Sequence, residues 1–169
     1  SKSDISPGFN RKSDLLAIQL SLNPDDLGEL IISATSIEAK FASAKYSDTN
    51  SAFEQARQTY DRFKDLVEGS KNQCGVIQRL VLSKLIRYGL QLKHESSGNS
   101  SSSRNFRIID SILKGRLEWR KPEYGVIVCS TEGDLAGSSY RADPAGHGLW
   151  IRLSPHEWPG EHDEASNLV

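Results

Sequence analysis

Apolar residues recur along the first two-thirds of the chain at three- and four-residue steps between short polar turns, and this spacing predicts helices. The segment "SDLLAIQLSL" opens on Ser13 as an N-cap, with Asp14 in the first turn and Leu15, Leu16, Ile18 and Leu22 following. Asn23-Pro24-Asp25-Asp26 then reads as a second helix start, with a capping side chain, a proline at the first helical position and two acids at the positive end. Leu27, Leu30, Ile31, Ala34, Ile37 and Phe41 supply its stripe. Ser51 and Glu54 are spaced as a capping box that opens a third helix. Phe53, Ala56, Tyr60, Phe63 and Val67 form its buried side, and Gly69 its stop. A fourth helix covers residues 73–93, with Ile77, Val81, Leu85, Tyr88 and Leu92 along one side. Together these predict an N-terminal antiparallel four-helix bundle over residues 1–95.

The period changes after a serine-rich stretch at 96–104, which reads as a flexible loop. Residues 105–169 predict a small α+β unit packed on the bundle. "NFRIIDSILKG" forms a short helix closed by Gly115, while "RLEWR", "YGVIVCS" and "LWIRLS" read as strands. The run Gly133–Gly148 is expected to be a long glycine-rich connection, with ligand binding as its functional alternative. The fold class predicted is therefore α+β, bundle first and small sheet last.

Composition adds bounds rather than chemistry. At 169 residues the chain is long enough for a sizeable core. No apolar run approaches membrane-spanning length, so no membrane association is expected. The polar start "SKSDISPGFNRKSD" has no apolar signal region, and the absence of Met is expected of a processed chain or an excerpt. Cys74 and Cys129, far apart and each in apolar surroundings, read as reduced core cysteines of an intracellular, cytoplasmic protein. No cofactor motif is present.

Charge changes the picture more. From Lys71 to Lys121 the chain carries eleven Lys or Arg against three acids, Glu95, Asp110 and Glu118, although the net charge of the whole is only −1. Arg79, Lys84, Arg87, Arg104 and Arg107 are the candidate contacts of this segment to the phosphates of a nucleic acid or to an acidic protein. The expected function is a non-enzymatic binding or regulatory module. The alternatives are a solvated basic face on a structural or oligomerisation domain, which includes a homo-oligomer, and a ribonuclease.

The ribonuclease reading rests on Arg87 and His94, seven apart and so two turns up one helix face. The pair distantly resembles the Arg-x4-6-His signature of the HEPN helical domains, many of which cleave RNA as dimers. That resemblance implies a compact helical bundle, with His94 as acid–base group and Arg87 as phosphate stabiliser. Tyr88 stands where the family carries a polar residue after the Arg. His156 and His162, in "HEWPGEHDE", are a weaker pair of metal-ligand candidates, because Pro159-Gly160 interrupts any helix between them. Cys74 lacks the histidine motif of a nucleophile.

Overall fold

A computed structural model describes residues 14–26, 28–42, 49–97, 102–132, 137–143 and 147–154. The element order is β1 (Leu15–Leu22), β2 (Leu30–Ala42), α1 (Thr49–Lys71), α2 (Val76–Ser97), α3 (Ser102–Leu113), β3 (Leu117–Trp119), β4 (Val126–Glu132), β5 (Ser139–Ala142) and β6 (Gly148–Leu153). The described residues thus form three helices and a six-stranded mixed sheet with strands first, and the expected four-helix bundle is not the fold. The hydrogen-bonded strand order is β1-β2-β4-β6-β5, with β3 also on β2.

The first two predicted helices are strands, and the reason lies in their period. In β1, Leu16, Ile18, Leu20 and Leu22 alternate with Ala17, Gln19 and Ser21, and the alternate residues pack against the core. In β2, Leu30, Ile32, Ala34, Ser36 and Glu38 are buried at every second position. Its β-branched residues also suit a pleated surface better than a helix. "NPDD" is turn chemistry rather than a helix start. Asn23 Oδ1 accepts from the Asp25 N–H at 3.0 Å and Asp26 Oδ1 from the Gly28 N–H at 2.9 Å.

The chain divides into two compact units. The helix-rich unit comprises residues 16–35 and 60–125. Its core gathers Leu30, Ile32 and Ala34 of β2, Leu117 of β3, Phe63 and Val67 of α1, Leu82 and Ile86 of α2, and Ile108 and Ile112 of α3. Trp119 packs edge-on against Tyr60 at 5.8 Å between ring centroids. Burial and the nearby Asp61 charge raise the Tyr60 phenol above its ordinary value, against a lowering hydrogen bond to Trp119. Gly115 ends α3 with φ +69°, and the Gly115 and Arg116 N–H groups donate to Ile112 and Ser111. This is a Schellman close, as the glycine predicted.

The strand-rich unit comprises the described parts of 1–15, 36–59 and 126–169. Here β2, β4 and β6 run parallel, and β5 pairs antiparallel with β6 as an edge strand. The run expected to be an open glycine-rich connection therefore contains a strand. Ala52 and Ala56 of α1 are both fully buried. Val126 and Val128 line the buried face of β4, while its intervening Ile127 and Cys129 are only half-buried.

Candidate functional site

The α1-facing side of β2 changes character along its length. Leu30, Ile32 and Ala34 are apolar; then Ser36, Glu38 and Lys40 continue the same face in the strand-rich unit. The Glu38 side chain is 0 % exposed. Its Oε1 accepts from Lys40 Nζ, and its Oε2 accepts from Gln55 Nε2 of α1 at 3.0 Å. A second carboxylate closes on the same stretch of strand: Asp14 Oδ2 accepts from the Ala39 N–H at 2.8 Å. Burying a carboxylate requires such partners, because an isolated one loses far more hydration than the fold returns.

Parallel pairing extends this polar end across three strands. Lys40 is registered with Ser130 of β4, and Ser130 with Arg152 of β6. One row behind, Glu38 is registered with Val128 and Val128 with Trp150. Trp150 Nε1 donates to Ser130 Oγ at 2.9 Å, and the Arg152 guanidinium lies over the Trp150 ring at 5.3 Å. The chain thus places Lys40 and Arg152 toward the carboxyl ends of parallel strands, the position at which open α/β sheets bind ligands. Arg57 of α1 also pairs with Asp143 at 3.0 Å in this unit.

Among the described residues no three His, Cys, Asp or Glu side chains converge as a metal cluster. Asp14 is exposed and bonds the Ala39 N–H, whereas both Glu38 oxygens are engaged by Lys40 and Gln55; carboxylate oxygen is the ligand type of a hard cation such as Mg²⁺. Lys40 Nζ already places one positive charge on Glu38.

The residues singled out from sequence lie in the helix-rich unit. Arg79 is spent on backbone, donating to the Asn72 carbonyl at 2.8 Å and the Ser70 carbonyl at 3.2 Å, where it closes the end of α1. Lys84 and Arg87 on α2 and Arg104 and Arg107 on α3 are exposed. Arg87 also lines a groove of about 510 Å³ with Leu90, Gln91, Asn105, Phe106 and Ile109. His94 falls on the backbone of α2, but its side chain, like all of His156 and His162, lies outside the described residues. Among the described residues the bundle implied by the HEPN resemblance is not formed. The stripe expected to bury α2 is also on the outside: Ile77 is 74 % and Tyr88 62 % exposed, and Leu82 and Ile86 face the core instead. Cys74 is exposed rather than in the core, and Cys129 is half-buried, which pushes its thiol up from the ordinary value. No helix among the described residues is long and apolar enough to cross a membrane.

No family model, curated protein or solved structure matches the chain.

Sequence reasoning missed Asp14, Glu38, Lys40 and Gln55 as a group. The available signal was a Glu and a Lys two residues apart at the end of "LIISATSI", a spacing that shares a face only in a strand. Read as a helix, the same two charges point apart and carry no chemistry.

Proposed function

We propose that this protein is a divalent-cation-dependent phosphodiesterase acting on nucleic acid, with its centre at Asp14, Glu38 and Lys40. The observation that carries the reading is the wholly buried Glu38, held by Lys40 and Gln55 where three parallel strands bring their polar ends together. Replacing a buried ion pair by apolar residues is commonly neutral or stabilising, so stability alone does not account for one. Asp14 and Glu38 would hold the cation; Gln55 fixes the orientation of Glu38. A bound Mg²⁺ supplies Lewis acidity and a water of lowered pKa. Hydrolysis of a phosphodiester would join a water oxygen to phosphorus and break one P–O ester bond, a proton of that water passing to the departing oxygen. Lys40 contributes its charge to the phosphoryl oxygens as negative charge grows there.

Nucleic acid is favoured as the substrate by the basic segment from Lys71 to Lys121, which lies within the helix-rich unit. Lys84, Arg87, Arg104 and Arg107 expose their side chains there and suit phosphate contacts. That same surface supports a second reading, a binding module without chemistry, with nucleic acid or an acidic protein as partner.

The test is incubation of labelled DNA and RNA oligonucleotides with Mg²⁺, Mn²⁺ or chelator, for the parent protein and Glu38→Gln. Metal-dependent cleavage should fall at least about 100-fold in the variant, as expected when a group acting at the reacting centre is lost. Binding to the same oligonucleotides should persist. Intact nucleic acid with salt-sensitive binding in both proteins would replace the phosphodiesterase with the binding module.

A further inference from the structure

We propose that the groove between α2 and α3 is a base-binding subsite for single-stranded nucleic acid, in which one unstacked base lies on the Phe106 ring and Arg87 meets the adjoining phosphate. The ligand class rests on the proposed action on nucleic acid. The place rests on the groove itself, which lies wholly within the helix-rich unit.

α3 carries two apolar stripes where folding needs one. Ile108 and Ile112 face the core of the unit and are buried in it. Phe106, Ile109 and Leu113 recur at three- and four-residue steps along a different side of the helix. Ile109 and Leu90 of α2 are half-buried against the core and make the floor of the groove. Phe106 and Leu113 stand at its lip, 73 % and 45 % exposed. Burial thus accounts for Ile108 and Ile112 but not for Phe106, an aromatic ring presented to solvent at the edge of a cavity of about 510 Å³. Sites for small organic ligands commonly span ~300–1,000 Å³ and combine apolar walls with a few polar groups.

The polar groups around this floor decide between apolar occupants. Gln91 and Asn105 line the same groove, and each amide offers both donors and an acceptor, the complement of a base edge. An apolar side chain from a protein partner would leave those amides unused. Arg87 lines the groove as well, and Lys84, one turn earlier, is exposed on the same side of α2. Arg107 is exposed beside Phe106 on α3. The acid lining the groove, Asp110, is paired with Lys114 at 2.7 Å, so cations are in surplus there. The charge matches a polyanion, while the ring and the amides match a base. A single strand offers both together, because duplex bases are already stacked and paired.

The experiment is equilibrium binding of three fluorescent probes over a range of salt, with chelator present to suppress metal-dependent cleavage. The probes are a short single-stranded DNA, an abasic oligomer of the same length, and a duplex of the same sequence. Binding is measured for the full chain and for Phe106→Ala, Phe106→Leu, Phe106→Trp and Arg87→Gln, after thermal melting has shown which are folded. Phe106→Ala should weaken single-strand binding about tenfold, the usual effect of losing one base–aromatic stack, and leave the salt slope as it was. Phe106→Leu keeps an apolar side chain while removing the ring, and answers the question if the alanine variant does not fold. Phe106→Trp should keep the affinity. Arg87→Gln should lower the slope of log affinity against log salt by about 0.7, the value of one lost single-strand phosphate contact. The abasic oligomer and the duplex should be indifferent to the loss of the ring.

Unaltered single-strand affinity in folded Phe106→Ala or Phe106→Leu would overturn the proposal, and so would an equal loss for the abasic oligomer. Binding of an acidic amphipathic peptide that needs Phe106, beside DNA binding that does not, would give the groove to a protein partner and overturn it as well. Failure of the phosphodiesterase shows separately, as DNA left intact by the parent protein with Mg²⁺. Ring-dependent single-strand binding by a protein that never cleaves upholds the subsite and removes only the phosphodiesterase.

Discussion

The two ends of β2 differ in character along a single face of one strand. At Leu30, Ile32 and Ala34 the strand gives the helix-rich unit an apolar core of ordinary kind. At Ser36, Glu38 and Lys40, on the same face and in the same extended geometry, it gives the strand-rich unit two fully buried polar side chains and an ion pair. Folding explains the first set completely: apolar area leaves water, at about 25 cal/mol per Å². It does not explain the second, since each buried polar group is at best repaid by its hydrogen bonds. A strand that stops being apolar while remaining buried is the feature on which the proposed centre rests.

The largest effect should come from the apolar end. Ile112 is fully buried among Leu30, Ile32 and Leu117, and Ile112→Ala should cost about 2–5 kcal/mol of stability, from lost burial plus the cavity left behind. Chemical denaturation measures it directly. A change below about 1 kcal/mol would mean that the core closes over the loss, and the contrast between the two ends of β2 would weaken accordingly.

Next comes the polar end, where the sign of the effect matters more than its size. Lys40→Met leaves the Glu38 carboxylate buried with Gln55 alone, and should cost about 3 kcal/mol. Adding Glu38→Leu to the same protein removes the stranded charge and should restore most of that loss. The double variant would then be as stable as the parent and without metal-dependent cleavage. Stability that stays low in the double variant would instead make the pair a structural requirement and the comparison one of degree.

How much of this is legible in the sequence follows from particular residues. The helical span of α1 and its inward Ala56, Phe63 and Val67, the Gly115 close of α3, and strands β3, β4 and β6 are readable, because each carries clear punctuation or a clear period. β1 and β2 are not, because Leu30, Ile31, Ala34, Ile37 and Phe41 satisfy a helical step as well as they satisfy a strand. Turn residues at Asn23–Asp26 serve helix caps and Asx turns alike, and so do not decide between the two. The candidate site is hidden by the same ambiguity. Glu38, Lys40 and Gln55 meet only once β2 is extended and α1 packs on it, Asp14 reaches the strand only through the Ala39 N–H, and Ser130 and Arg152 join through a register that no local pattern encodes. The charge excess from Lys71 to Lys121 is legible in full, since it is a count; Arg79's role as a carbonyl cap within it is not.

The smallest expected effect concerns α2, where the sequence stripe and the buried stripe disagree. A residue on the exposed side contributes little to folding, and surface changes away from special features usually stay within about 0.5 kcal/mol. Ile77→Ser combined with Tyr88→Ser should therefore leave the denaturation midpoint of the protein almost unmoved, because both side chains stand mostly in solvent. Leu82→Ser, on the opposite side and fully buried, should behave like the core change above. The pair of measurements assigns the working face of α2 by energy rather than by pattern. A double variant that melted as early as Leu82→Ser would mean that the outer stripe is covered in solution. Dilution would then separate the two ways of covering it: a midpoint that falls with protein concentration requires a second copy of the chain, and one that does not requires the chain itself.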